Sequence, residues 1–413
     1  MTDIDSFTED QNRKKIIEDK LRFAGPDYNN CLVNLSNSII KRFGAETTAN
    51  TLPIADEYLV KGYRNVVILL LDALGISTLE DHLEKDAFFR SHIRHTYTSV
   101  YPATTVAATT SVLSGLYPNE HGWLGWDMYF PKLDKNVTVF WNKEQMSELE
   151  GAIPTIGEDG KHAIWGTDTL AESEVVADFD AASTYIPYTN IIDKINAANE
   201  ETKAYVSSPY VDPCPETLEK ILERIKDLCD APGEKFIYAY WNEPDSTMHD
   251  TGTKSADTHE VVTSLEKTLE KFSSELSDTL MFITADHGHI DSNNLCIGDY
   301  PEVLNCLVRR PSIEPRTLNL FVKEECKADF PEIFKRNFGD DFLLLTKEEV
   351  LEHKLFGPGE NRDGLTDMIG DFVALAISNT SVFNTHFQMQ IMPGAHAGLT
   401  AEEARIPLIV VES

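Results

Sequence analysis

The chain has 413 residues, 42% of them hydrophobic and 25% charged, the make-up of a folded protein with a sizeable core rather than of a long disordered one. Its formal net charge of −32 repels a polyanion over most of the surface and argues against a nucleic-acid polymer as partner. The six cysteines form no CxxC pair or regular pattern, so neither a zinc ribbon nor a disulfide framework is indicated. The start, MTDIDSFTEDQNRKK, has no apolar run, and no stretch approaches the roughly 18 apolar residues of a membrane span, so a cytoplasmic protein without a membrane partner is expected.

In chain order, residues 1–55 read as a polar, helix-leaning extension whose apolar patch at 31–40 packs on a main domain of residues 56–413. Residues 65–72 (NVVILLLD) are a β-rich apolar run of the kind found in buried parallel strands, with Gly75 in the turn behind it. Residues 105–113 predict a buried helix closed by Gly115, its first turn presenting Thr104 and Thr105. The aromatic-rich stretch 121–165 reads as a lid element. Further strands are expected at 204–207, 236–241, 280–284, 318–322, 372–377 and 406–411, with helices at 215–228 and 256–276. Strands alternating with helices of this length predict an α/β fold, a mainly parallel central sheet flanked by helices. The run at about 290–370, with its own strand and helices, reads as an inserted lid subdomain.

Polar residues stand where the apolar runs give out, and open α/β sheets bind ligands at such strand ends. Asp72 closes the most apolar run, where a carboxylate is costly unless paired or metal-bound. Asp245 and His249 in EPDSTMHD are four apart, one face of a helical turn. Asp286 and His287 in ITADHGHI can diverge toward two neighbouring ions at an abrupt strand end, with Gly288 permitting the tight turn. His396 in PGAHAGLT lies among small residues. Taken singly, each has an ordinary alternative: a capping Asp, a satisfied His, a helix-start hydroxyl at Thr105.

Their joint occurrence is more specific. LLLDALG, YPATTVAATTSVLSGLYPNEHG, EPDSTMH, TADHGH and GAHAG together resemble the alkaline phosphatase superfamily, in its type I phosphodiesterase/nucleotide pyrophosphatase branch, from about residue 64 to the C-terminus. The resemblance implies an alkaline phosphatase-like fold with Thr105 as nucleophile. It implies that Asp72, Asp286 and His287 bind one metal, which also touches Thr105, and that Asp245, His249 and His396 bind the other. Carboxylates and imidazoles suit Zn²⁺, with Mn²⁺ the alternative. A threonine hydroxyl is a poor nucleophile that a divalent cation activates, and two ions about 4 Å apart can hold the attacking and leaving oxygens of an in-line displacement.

The expected function is therefore two-metal hydrolysis of a small phosphate ester through a phosphothreonine intermediate, as a phosphodiesterase or pyrophosphatase. Phosphomonoester hydrolysis, phosphomutase transfer and non-catalytic metal binding are the alternatives. The absence of Lys or Arg beside the motifs favours a diester over a dianionic monoester. No CxPxR or SxPxR stretch supports a sulfatase, and no GxGxxG or P-loop supports a nucleotide-cofactor fold. One departure bears on substrate. Where nucleotide pyrophosphatases of the branch place an Asn after the HG that follows the nucleophile helix, HGWLGWDMYF puts Trp126. The indole of Trp126 or Trp123 is a candidate donor in its place, though lid core is the preferred reading of both, and Tyr101, Trp141 and Tyr129 are candidates for an apolar wall, equally plausible as packing. His289 is expected to orient a ligand from behind, His121 to be structural, and His386 has no assigned role.

Overall fold

The protein, described by a computed structural model over residues 3–413, is organised around the strand Asn65–Leu71. Every residue of that strand is buried, because it is paired on both sides. It runs parallel to Thr279–Thr284 on one edge and to Glu234–Trp241 on the other. Thr202–Ser207 extends the parallel set, while Arg405–Glu412 joins antiparallel beside Thr279–Thr284 and carries Ile93–Thr98 at the far edge. A strand with neighbours on both sides and helices above and below reads as a continuous apolar run.

The helices flanking this sheet follow ordinary local rules. Leu218–Asp230 buries Leu218, Ile221, Leu222, Ile225 and Cys229 along one stripe, and the Thr217 hydroxyl caps its start by accepting from the Lys220 N–H. The segment Leu32–Arg42, expected to pack on the main domain, is buried over nearly its whole length and contacts the helices Thr105–Ser114 and Ile191–Ala198. Gly115 ends the Thr105 helix in the left-handed conformation that a C-cap favours. Among the described residues, no helix is long and apolar enough to cross a membrane.

A second sheet differs from expectation. The strand at 372–377 reads as a member of a mainly parallel sheet, the strand at 318–322 as part of an inserted lid subdomain at about 290–370, and 121–165 as a further lid element. The structure instead joins Asp127–Phe130, Lys135–Thr138 and Lys143–Glu144 with Ser312–Glu314, Thr317–Leu320, Phe342–Thr346 and Phe372–Ala376 in one seven-stranded antiparallel sheet. Phe372–Ala376 misleads because it is buried on both faces. Val373 and Leu375 enter one hydrophobic cluster, and Phe372, Ala374 and Ala376 enter another. Its polarity therefore does not alternate, which removes the usual mark of an antiparallel strand.

A fully buried ion pair ties this sheet to the last segment of the chain. The Arg316 guanidinium donates to both Glu403 oxygens, from Nε at 2.7 Å and Nη2 at 2.9 Å, and also to the carbonyls of Thr380 and Ser378. Glu403 accepts in addition from the Gly398 N–H at 2.6 Å, and the Thr317 hydroxyl donates to the Ala397 carbonyl at 2.5 Å. The loop bearing His396 is thus held between the two sheets. Replacing one partner of such a pair strands the other charge, so Arg316→Leu is expected to cost about 3–5 kcal/mol, read as a lower urea midpoint; a loss below about 1 kcal/mol would show that the clamp does not hold the loop.

Candidate active site

Three neighbouring strand ends supply the acids. Asp72 follows Asn65–Leu71, Asp286 follows Thr279–Thr284, and Asp245 opens the short helix Asp245–Thr251 just after Glu234–Trp241. The backbone ties two of them directly, the Asp245 N–H donating to the Asp72 carbonyl at 3.2 Å. The turns behind Asp72 and Asp286 also touch: a Cβ on Gly75 would lie 2.7 Å from the Gly288 Cα, and one on Gly288 would lie 2.0 Å from the Glu402 carbonyl oxygen. Only glycine fits at either place.

Thr105 is the first residue of its helix, so its hydroxyl sits at the positive end of the helix dipole. The oxygen lies 3.4 Å from Asp72 Oδ2 and 3.2 Å from His287 Nε2. His287 Nε2 is 3.3 Å from Asp72 Oδ1 and 3.7 Å from Asp286 Oδ2. Beside this group, Asp245 Oδ2 is 3.4 Å from His249 Nε2, and Asp245 Oδ1 is 3.9 Å from His396 Nε2. The His287 and His396 rings stack at 3.9 Å, which makes the two groups contiguous. All seven side chains singled out in the sequence are brought together.

The hydrogen bonds behind these residues aim them. Each of His287, His249 and His396 has Nδ1 against a backbone carbonyl, of Gly288, Gly394 and Ala103 respectively. A carbonyl only accepts, so Nδ1 carries the proton and the Nε2 lone pair faces the cluster, the arrangement of a metal-binding imidazole. Asp286 Oδ1 accepts from the backbone N–H groups of Ala73 and His287. Asp72 Oδ2 accepts from the Tyr240 hydroxyl. By contrast, the buried oxygens Asp72 Oδ1, Asp245 Oδ1 and Asp286 Oδ2 have no hydrogen-bond partner among the described residues.

Burial, compounded by the charges of Asp286 and Asp245, pushes the Asp72 carboxyl well above its ordinary range, and burial also raises that of Asp286. Burial lowers His396 and His289 below the usual imidazole range, with the neighbouring histidines adding to the effect. Such a cluster lacks positive charge of its own. The groups Asp72/Asp286/His287 and Asp245/His287/His396, and also Asp245/His249/His289, each place their ligand atoms within 4.8 Å of one another, so the residues fit divalent cations by donor type and by convergence. His289, expected behind the ligands, has both ring nitrogens buried without a partner and Nε2 at 3.5 Å from Asp245 Oδ1; it stands among the ligand atoms themselves.

The substrate-contact candidates divide. A cavity of about 430 Å³ opens beside Thr105, Asp245, His249 and His396, and Trp126 and Trp141 line it. Trp123 and Tyr101 are not brought to it. The Trp123 indole N–H donates to the Ile186 carbonyl at 2.9 Å, and the Tyr101 hydroxyl bonds Thr317 Oγ1 at 2.6 Å; both rings are packed in the core, where each polar tip finds an internal partner. Tyr129 likewise lies elsewhere, under the Arg309 guanidinium. His121 is buried, accepting from the Trp123 N–H and donating to Ser111. His386 sits between Glu148 and Asp299. Sequence reading missed Tyr240, which has no signal beyond its place in a strand, and Glu314, which is far from any motif and meets the site only through the second sheet.

The chain matches the type I phosphodiesterase / nucleotide pyrophosphatase family over residues 66–329. It belongs to that family. The matched stretch includes Asp72, Thr105, Asp245, His249, Asp286 and His287, and His396 lies beyond it. Rat ectonucleotide pyrophosphatase/phosphodiesterase family member 3 is 23% identical over 263 residues, 61% of this chain and 26% of that protein, so the match spans about a quarter of the curated relative. Among solved structures, murine ectonucleotide pyrophosphatase/phosphodiesterase 5, as an inactive variant in complex with AMP, superposes with a TM-score of 0.58 at 17% identity, covering 83% of this chain and 87% of that one. Phosphonoacetate hydrolase from Sinorhizobium meliloti 1021 in complex with phosphonoacetate gives a TM-score of 0.54 at 13% identity, covering 85% and 90%. These likenesses show a shared fold.

The unpartnered acids make a thermodynamic prediction. Without cations the ionised Asp72 opposes folding, because its folded pKa is raised; that penalty is full above the folded pKa, shrinks as pH falls below it and is gone below the unfolded pKa. Asp72→Asn is therefore expected to stabilise the metal-free protein by about 1–2 kcal/mol near pH 8, while cutting the rise in melting temperature on adding zinc. A variant less stable than wild type without metal, yet equally stabilised by zinc, would contradict this.

Proposed function

We propose that this family member is a two-metal hydrolase of small phosphate esters, with diesters its preferred class and Thr105 its nucleophile. The observation that carries the reading is the convergence of three acids, each with a buried oxygen unpartnered among the described residues, and a set of Nε2 lone pairs, with the Thr105 hydroxyl beside Asp72 and His287. Asp72, Asp286 and His287 would hold one ion, and Asp245 and His249 with His396 the other, His289 being within reach of the second. Bound Zn²⁺ or Mn²⁺ would supply Lewis acidity, favouring the threonine alkoxide and neutralising charge on phosphoryl oxygens.

The residues then have separable tasks. Thr105 Oγ1 forms the bond to phosphorus as the bond to the leaving oxygen breaks, leaving the rest of the ester on Thr105; water hydrolyses that ester and restores the hydroxyl. The helix behind Thr105 directs its N-terminus at the accumulating negative charge. Tyr240 fixes one Asp72 oxygen and leaves the other for ligation. The cavity beside Thr105 is lined by Trp126, Trp141, Ile313, Phe387 and Met392 and contains no Lys or Arg, which supports a substrate with an apolar second substituent over a dianion that needs cationic clamps. All six cysteines are free thiols, in keeping with a reducing, cytoplasmic setting.

A parallel assay of an aryl phosphodiester, an aryl phosphomonoester and a nucleotide, each with and without chelator, tests the assignment. Chelator-sensitive turnover with the diester preferred is expected. Thr105→Ala is expected to fold and bind metal yet lose turnover by roughly three orders of magnitude or more; turnover near wild type would remove the covalent route, and monoester preference would move the substrate class.

A further inference from the structure

Glu314 is an acid with no role in metal binding, set into the wall of the same cavity as Thr105. It ends the strand Ser312–Glu314, directly after Ile313, whose φ of 76° is a left-handed conformation that a β-branched residue rarely adopts. Two donors fix its carboxyl: the Thr104 hydroxyl at 2.6 Å and the Trp126 backbone N–H at 2.8 Å, both on Oε1. Oε2 takes no partner among the described residues. Thr104 is the residue next to the nucleophile and caps the same helix, yet its hydroxyl gives no cap bond because it is turned to Glu314.

This arrangement withdraws two donors from a phosphoryl group at Thr105. The Thr104 O–H and the Trp126 N–H are both spent on Glu314. The cavity's Gln145 amide is spent as well, on Asp127 and the Pro311 carbonyl. The second oxygen of the Glu314 carboxyl is left without a partner among the described residues, in the wall of the same cavity. The acids around it, Asp127 on the adjoining strand and Asp245 across the cavity, oppose its ionisation, and Arg316, two residues on, is consumed by Glu403.

Building on the hydrolase reading, we propose that Glu314 works as a neutral carboxylic acid, its Oε2–H donating to a non-bridging oxygen of the phosphoryl group that Thr105 attacks. A carbonyl-like Oε1 that receives two donors and an Oε2 that carries the proton satisfy every polar atom of the group. Burial, with the charges of Asp127 and Asp245, pushes its pKa up to about 8, despite the opposing bonds from Thr104 and Trp126. A half-buried acid held neutral donates as an amide would, without bringing a charge that repels the substrate. It also suits a diester, whose single negative charge needs a donor more than a cation.

Replacing the group by its permanent neutral isostere separates a donor from an acceptor. The measurement is kcat/KM of zinc-loaded wild type, Glu314→Gln and Glu314→Ala on an aryl methyl phosphodiester, from about pH 6 to about pH 10, with a thermal melt of each protein. Glu314→Ala is expected to lose about 100-fold, and Glu314→Gln to restore activity to within about fivefold of wild type. Wild type is expected to lose activity as pH rises through the Glu314 pKa, and Glu314→Gln to lack that limb. A Glu314→Gln protein as impaired as Glu314→Ala, or one that keeps the wild-type alkaline limb, would overturn the donor role; so would a fall in Glu314→Ala of less than about threefold. If Glu314→Ala does not fold, the comparison of wild type with Glu314→Gln decides alone. Those outcomes leave chelator-sensitive turnover of the wild type intact, whereas its absence would overturn the hydrolase reading and this inference with it.

Discussion

The structure depends on a charge imbalance at the ends of its central strands. Asp72, Asp245 and Asp286 direct oxygens into one buried space where no donor meets them, and unit charges a few ångströms apart in a medium less polar than water repel by several kcal/mol. His287, His249 and His396 each commit Nδ1 to a backbone carbonyl and turn Nε2 toward the acids. Divalent cations would supply the missing positive charge. A site that destabilises its own empty state binds them tightly, because loading relieves the repulsion as it makes new bonds.

That economy explains much of the architecture. Parallel pairing of Asn65–Leu71 with both neighbours brings three strand ends, and so three acids, to one edge without long loops. Gly75 and Gly288 let the turns beneath Asp72 and Asp286 approach to contact distance. His396 comes from a different part of the chain and needs its own anchor, which Arg316 and Glu403 provide from the second sheet. The same sheet forms the cavity wall and presents Glu314. The central sheet thus carries the reacting centre, and the antiparallel sheet shapes what reaches it.

What the sequence made legible follows from where each signal is local. A strand that ends in an acid, an Asp and a His four apart on a short helix, and a Gly-closed helix with Thr105 at its start are all written within a few residues, and each appears where expected. The joining of 127–144 with 312–376 is not local: it depends on a pairing of Asp127 with Ile313, and the double-sided burial of Phe372–Ala376 erases that strand's alternation. Trp123 and Tyr101 show a related limit. An aromatic beside a motif can face the cavity or the core, and the partner that decides, Ile186 for one and Thr317 for the other, is distant in sequence. Tyr240 and Glu314 escaped for the same reason, their roles being set by contacts with Asp72 and Thr104 that no spacing announces.

Native mass spectrometry of the zinc-reconstituted chain tests the central claim most directly. Two ions per chain are predicted for the wild type, with Asp286→Asn and His249→Ala each reduced to one. A wild type that retains one ion or none, or variants that both retain two, would contradict the assignment of these strand ends as a paired cation site.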